Sequence, residues 1–588
     1  MSSDRTRPVR IANASGFLGD RMSAMREVVT GGPIDVVTGD YLAELTMRIL
    51  GKQKLKKPDA GYAATFLTHF EPILTTVMER GIKIVVNAGG LNPTGLAVAV
   101  KALGGRLGVA PKIATIHGDD LRPRLESLAP TNLETGAPFV DFAAVLTANA
   151  YLGAWGIVRA LDAGADIVVC PRVTDASLVV GAAAWWHRWK RDEWDALAGA
   201  VAAGHVIECG AQATGGNYSG FRALDLSVVP GFPIAEVARD GTSVVTKHPG
   251  AGGAVTVGTV TAQLVYEVQT TRYKNPDVTT LLDTITLEQI APNRVALRGT
   301  RGAPPPETTK VAVTTRGLHR NEIIFAFVGL DVDAKMALFE SQARAVLDPR
   351  VELHFQRIGA SKADPTTEDE ATVLLRIVAS SGDEAAVSRA FSGPLIELGL
   401  ASYPGLFALT PPGPAMEVGG YAPLVVAQSA LEHSVTLPDG TSESIPLPPF
   451  MADAPPAAII ERPRVTHGPC RSAPLGAIVD ARSGDKGSDA NIGVWVSEDD
   501  AYAWLCDELS VARFRELLPE AREFAIERFD LPNLRALNFV VHGLLAGGAA
   551  AGARLDRQGK ALGELLRARF VDVPIALLDR ARSSVTSG

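Results

Sequence analysis

The chain has 588 residues, 46% of them hydrophobic and 21% charged, with a net charge of -8. That length exceeds one domain and points to three or four, while the acidic balance argues against a nucleic-acid partner. Residues 1–8 are polar and lack the apolar core of a signal peptide.

Four cysteines (Cys170, Cys209, Cys470 and Cys506) are scattered without paired spacing, so neither a disulfide framework nor a zinc site is indicated. The greasiest runs, 178–186 and 539–553, are too short or too interrupted to cross a bilayer. A cytoplasmic protein without membrane partners is expected.

In chain order, residues 9–12, 34–37, 82–86, 112–116 and 166–169 are short β-branched runs. Helical patterns such as 60–80 and 93–103 separate them. This alternation predicts a parallel sheet covered by helices, a three-layer α/β domain over 1–235. From 236 to 435 strand-like runs cluster at 294–298, 310–315, 322–328 and 351–358, with helical segments at 334–347 and 384–398. That texture predicts an α+β region with antiparallel pairing. Residues 436–469 are rich in Pro and read as a linker. Residues 470–588 form a compact terminal α+β unit. The run 539–553 reads as helical, either core or a subunit interface, and a homo-oligomer is expected.

Ligands of open α/β sheets bind beyond the carboxyl ends of the strands. Those ends are unusually polar here. Asn13 and Ser15 follow the first strand, and Asp40 and Glu44 the second. Asn87, Gly89, Gly90 and Asn92 follow the third, with a helix expected to start at Pro93, which suits an anion. His117, Asp119 and Asp120 follow the fourth, and Arg172 and Asp175 the fifth. Helix caps alone would explain one such end; five together point to a site.

Residues 205–219 read as a strand carrying Glu208 and Cys209 into a Gly-rich loop with Asn217. Glu208 suits acid/base work, whereas Cys209 has no fixed His partner and reads as a structural thiol. His205 and Glu208 would face opposite sides of a strand, which argues against their pairing. Gly252 and Gly253 close a turn whose N–H groups can cradle an anion.

Residues 481–493 pack Arg482, Ser483, Lys486 and Asn491 around Gly484 and Gly487. They read as a polar loop whose cations suit a carboxylate or phosphate; the alternative is a charged surface hairpin. The Ser483-x-x-Lys486 string needs a helix that these glycines break. Asn13-x-x-Gly16-x-x-Gly19 lacks the first glycine of a dinucleotide fingerprint, and no tyrosine has a lysine four residues on, so no nicotinamide cofactor is expected.

The run Arg10 to Ser15 with Asp40-Tyr41 and Glu44, the segment 87–93 and the segment 208–218 together resemble the acyclic terpene utilisation (AtuA) family, over about residues 8–450. The terminal unit, through 482–487 and 531–539, is similar to the ferredoxin-like domain often fused to that family. The resemblance implies catabolism of citronellol- and geraniol-type acids as CoA thioesters, with a lyase acting on a branched 3-hydroxyglutaryl-CoA-like compound. It implies no agreed catalytic residues.

The reading from the residues is an enzyme of lyase or hydratase type acting on a carboxylated acyl-CoA. Asp40, Glu44, Asp119, Asp175 and Glu208 are its acid/base candidates. Asn13, Ser15, Asn87, Gly89, Gly90, Asn92, Arg172, Asn217, Gly252, Gly253 and Asn491 would hold substrate oxygens. Arg482, Ser483 and Lys486 would clamp an anionic group. No cofactor is expected beyond CoA as part of the substrate, and no metal. The alternatives are a non-catalytic acyl-CoA-binding or scaffold subunit, and a metal-assisted hydrolase using His117, Asp119 and Asp120.

Overall fold

The computed structural model describes residues 5–457 and 467–586, with side chains through residue 581. Its centre is an eleven-stranded mixed sheet. Five parallel strands form the middle, in the spatial order Val9–Asn13, Val36–Gly39, Lys83–Val86, Ile167–Val169 and Ile113–His117. These Val- and Ile-rich segments are buried almost throughout, as strands covered on both faces must be.

The expected parallel sheet is therefore present, but it is extended on both sides by antiparallel strands. Pro233–Val237 pairs with Val9–Asn13, followed outward by Ser243–Lys247, Arg294–Arg298 and Thr286–Ala291. At the opposite edge the hairpin Ser434–Thr436/Ser442–Ser444 pairs with Ile113–His117. The stretch expected as a linker thus begins with sheet structure, and its residues 458–466 lie outside the described residues.

Two further antiparallel layers follow. Thr131–Asn132, Tyr421–Ala427, Thr308–Thr315 and Val145–Ala150 make one sheet. His319–Val328, Thr372–Ser381 and Glu352–Ile358 make the core of another, packed on helix Val332–Val346. This matches the α+β texture expected for 236–435.

Two helices deliver the functional edge. Helix Ser177–His187 is apolar on every side and fully buried. It packs against helix Trp194–Ile207, whose Ala and Gly residues let neighbours approach closely; a Cβ at Gly204 would press on Ala176 at 3.0 Å. The segment 205–208, expected as a strand, is the end of this helix. Its buried Ala/Gly/Val composition is ambiguous between strand and helix, and its length decides for helix.

The terminal unit is a four-stranded antiparallel sheet ordered Asp480–Lys486, Asp489–Trp495, Ala536–Val541 and Ile526–Leu531. One face packs on its own helices, with Phe514 stacked on Phe539 at 4.3 Å between ring centroids. The polar segment 481–493 is a hairpin rather than a loop: its charges lie along two strands, and only Gly487-Ser488 turns, with Gly487 at φ +66°. The run 539–553 is not a helix either. It is the end of a strand followed by turns and a short helix, Gly548–Ala551; its four glycines remove most of the helical preference.

Candidate active site

The terminal sheet lies on the main domain through a set of asparagines. Asn491 accepts from the Glu267 N–H (2.7 Å) and donates to the Val268 carbonyl (3.1 Å), to which Asn538 also donates (2.7 Å). Asn533 donates to the carbonyls of Leu282 and Ile285. Gly493 leaves space for Val265, and Gly484 for the Tyr266 ring, which a Cβ would approach to 2.5 Å. Ser488 N–H donates to Glu134 at the hairpin tip. This docking brings the terminal hairpin over the carboxyl edge of the parallel strands.

Beneath it, Asp40, Asp175 and Glu208 converge from three separate elements, with one oxygen of each within 4.8 Å of the others. Asp40 ends the second strand and accepts from Asn87 Nδ2 (2.5 Å) and from the Leu42 N–H (3.1 Å). Asp175 follows strand Ile167–Val169 and is ion-paired with buried Arg172 at 2.5 Å. Glu208 follows helix Trp194–Ile207 and lies 3.3 Å from Nδ1 of His205, so the pairing that a strand would have forbidden is made on the helix. Burial, then the neighbouring Asp175 and Glu208 carboxylates, hold the Asp40 carboxyl well above its ordinary value. Burial likewise raises Glu208. Three carboxylates this close share either a proton or a cation, and they are the one group of His, Cys, Asp and Glu side chains among the described residues arranged to hold a metal ion.

Cations close the top. Lys486 reaches Glu267 at 3.5 Å; burial opposes its charge, but Glu267, Tyr273, Asp175 and Glu208 carry its pKa upward. Lys560 bridges Glu267 (3.1 Å), Asp485 (3.2 Å) and the Tyr266 hydroxyl. Despite burial, these two ammonium groups pull Glu267 down to about 2. Asp485 is raised to about 6, by burial and then by Glu267.

The other sequence candidates have mixed placements. Asn13 donates to the carbonyls of Ile207 and Glu208, both at 2.8 Å, and so fixes the Glu208 backbone. Asn87 accepts from the Tyr41 N–H and positions Asp40. The Ser15 hydroxyl donates to the Phe17 carbonyl. The Gly89 N–H donates to the Cys170 carbonyl at the end of the neighbouring strand and the Gly90 N–H to the Asn87 carbonyl within its own turn, and Asn92 caps helix Pro93–Arg106 by accepting from Gly95. Gly252 and Gly253 pack against 228–230 and Thr214. The Asn217 side chain is exposed, and its carbonyl accepts from Arg482. Arg482 also donates to Gln212 and stacks on Tyr266 at 4.3 Å, while Ser483 accepts from the Gly563 N–H. These last contacts seat the hairpin. Glu44 begins helix Glu44–Lys56 and faces Lys310 at 3.8 Å. Asp119 accepts from Asn149 and from the Arg172 N–H, and burial raises it to about 7. His117 pairs with Thr115 and Asp120 with Arg122, so His117, Asp119 and Asp120 do not meet at one point. Burial and the Glu208 and Glu267 carboxylates raise the Cys209 thiol, consistent with a structural role.

The model of the acyclic terpene utilisation family protein AtuA matches residues 9–437, and that of the AtuA ferredoxin-like domain matches residues 473–572. The chain belongs to the AtuA family. The second match makes the terminal sheet its ferredoxin-like domain, the part that supplies Lys486 and Lys560 to the edge. No curated protein and no solved structure matches the chain. Among the described residues, no helix is long and apolar enough to cross a membrane.

Sequence reasoning missed Tyr151, Glu267, Tyr273, Lys310, Tyr421 and Lys560. Each lies outside the five strand ends that define the edge, and only the docking of later elements brings it in. Arg172 stacks on Tyr151 at 4.1 Å, and Lys310 lies 5.2 Å from the same ring. The doublet Tyr266-Glu267, directly after helix Val257–Leu264, was the readable signal; Lys560 had none.

Proposed function

We propose that the chain is an enzyme of acyclic terpenoid acyl-CoA catabolism, a lyase or hydratase acting on a carboxylated substrate. Family membership supports the terpenoid direction. The observation that carries the chemistry is the convergence of Asp40, Asp175 and Glu208 beneath Lys486, with Asp40 and Glu208 biased toward their protonated forms. Cleavage or hydration next to a thioester carbonyl needs one group to take a proton from a hydroxyl or α-carbon and another to return one. It also needs positive charge where an enolate oxygen develops. Asp175, ion-paired with Arg172, is the base. Glu208 or Asp40, which burial biases toward the protonated form, is the acid. Lys486 is the charge partner of the developing oxyanion.

The test is turnover of a panel of 3-hydroxyacyl- and enoyl-CoA esters followed by mass spectrometry. Activity on a branched, carboxylated ester that falls by about 100-fold or more in Glu208→Gln supports the reading. Absence of turnover across the panel, or full activity of Glu208→Gln, rejects it. The closeness of the three carboxylate oxygens favours one second reading, a divalent cation held there as Lewis acid. Loss of activity on chelation with recovery on adding Mg2+ or Mn2+ would select it.

A further inference from the structure

Beside the carboxylates lies a second polar group, of which the proposed chemistry uses only Arg172. Strand Thr308–Thr315 lies between Val145–Ala150 and Tyr421–Ala427. Lys310 and Thr314 share a face of this sheet, and Tyr421 pairs opposite Thr314. Lys310 Nζ therefore reaches over both flanking aromatics, 5.2 Å from the Tyr151 ring and 5.6 Å from the Tyr421 ring. Arg172 covers Tyr151 at 4.1 Å and ties this group to Asp175 of the carboxylate cluster.

Two features are incompletely matched within the chain. The Tyr421 hydroxyl is buried and has no hydrogen-bond partner. A buried donor left unsatisfied is destabilising unless something meets it. Besides its contacts with the two rings, Lys310 has only a long ion pair, 3.8 Å to Glu44, although its side chain is just 24% exposed. An ammonium that is mostly withdrawn from water without a close anion marks a place for one. The Tyr421 ring lies beside Gly487 of the terminal hairpin, where an added Cβ would come within 3.3 Å of it, so the group is covered by the same docking that covers the carboxylates.

We propose that Lys310, Arg172 and Tyr421 form a subsite for a free carboxylate of the substrate, distinct from the thioester end; this rests on the active-site reading above. The charge count selects the ligand class. Lys310 and Arg172 contribute two positive charges, faced by Glu44 and Asp175, and Glu134 also acts on Tyr421, so the group has no surplus positive charge for a doubly charged anion. A singly charged carboxylate suits it better than a phosphate dianion. The guanidinium plane and the phenol hydroxyl supply directed donors, and the ammonium supplies charge. A carboxylate held there lies next to Asp175, which orients a dicarboxylic acyl group across the catalytic carboxylates.

The test compares two CoA esters that differ only in this group, 3-hydroxyglutaryl-CoA and 3-hydroxybutyryl-CoA, by calorimetric binding to the full-length protein. The wild type is expected to prefer the glutaryl ester by about tenfold or more, because a site built around polar groups rejects the analogue that leaves them unpaired. Lys310→Met and Tyr421→Phe are each expected to reduce that preference to about threefold or less. Tyr421→Phe removes one oxygen and keeps the ring, so its fold is secure if Lys310→Met proves unstable. Equal binding of the two esters by the wild type, binding of neither, or a preference that survives in Tyr421→Phe overturns the subsite. Binding is read without turnover. Failure of the lyase chemistry therefore leaves this result standing, and failure of the subsite leaves the chemistry untouched.

Discussion

At the scale of single residues, the important groups are carboxyls held away from their ordinary protonation. Asp119 shows the consequence for stability. It is buried, and its pKa rises from 3.8 to about 7 because burial disfavours the charge more than Asn149 and the Arg172 N–H favour it. The folded state therefore binds this proton more tightly than the unfolded chain. Its contribution is present in full below 3.8 and is lost as pH rises through about 7. Asp119→Asn keeps the shape and an acceptor oxygen without the charge. Relative to wild type, it is expected to raise the unfolding midpoint at pH 8 and to have little effect at pH 4, the gain at high pH being on the order of 1–3 kcal/mol. Denaturant titrations at the two pH values check this; a gain of equal size at both would mean that packing, not charge, dominates. Asp119 was visible in the sequence because it ends a strand, as were Asp40, Asp175 and Arg172. The role of each was not visible, because a strand end gives an address and no partner. Lys486 and Glu267 are 219 residues apart, and no local pattern links them.

At the scale of elements, side chains that looked like ligand contacts fix backbone instead. Asn13 was read as holding a substrate oxygen, yet its amide donates to two successive carbonyls at the end of helix Trp194–Ile207. Asn13→Ala leaves both carbonyls buried and unpaired. A loss of about 2–3 kcal/mol is expected, together with reduced activity as Glu208 loses its seat. Asn13→Asp is expected to be worse, because a carboxylate would face carbonyl oxygens. Urea unfolding checks the order; an Asn13→Ala protein of wild-type stability would refute the anchoring role. The five parallel strands and helix Pro93–Arg106 were legible because β-branched runs and a Pro at the first turn act locally. Two elements were not. The end of helix Trp194–Ile207 lies in a run buried on all sides, where periodicity carries no signal. The hairpin 480–495 has charged residues along its strands because its outer face is covered by the main domain rather than by water. Gly484→Val tests that docking, since the side chain would collide with the Tyr266 ring. It is expected to leave the terminal core folded while separating the two parts, read as a new protease-sensitive step between them.

At the scale of the whole molecule, the ferredoxin-like domain and the sheet edge form one electrostatic unit. Glu267 belongs to the main domain, and Lys486 and Lys560 to the terminal one. The two cations lower Glu267 from 4.5 to about 2 against the effect of burial. The folded state thus binds that proton more weakly than the unfolded chain. Its contribution is present above 4.5 and is lost as pH falls through about 2. Lys486→Met removes one of the two cations and leaves Lys560 to hold Glu267 alone. The variant is expected to be less stable than wild type by about 1–3 kcal/mol near pH 7, where Glu267 is ionised in both states. The difference should shrink as pH falls toward 3, because Glu267 of the variant, held by one cation, takes up its proton at a higher pH than Glu267 of the wild type. Glu267→Gln should abolish the pH dependence of that difference, since the cycle then lacks the charge that couples the domains. Unfolding of the wild type, both single variants and the double variant at pH 7 and pH 3 decides the matter. A Lys486→Met defect that stays constant across this range, or one that persists undiminished in Glu267→Gln, would assign Lys486 to packing. The terminal domain would then be a cover for the site rather than a part of its charge balance.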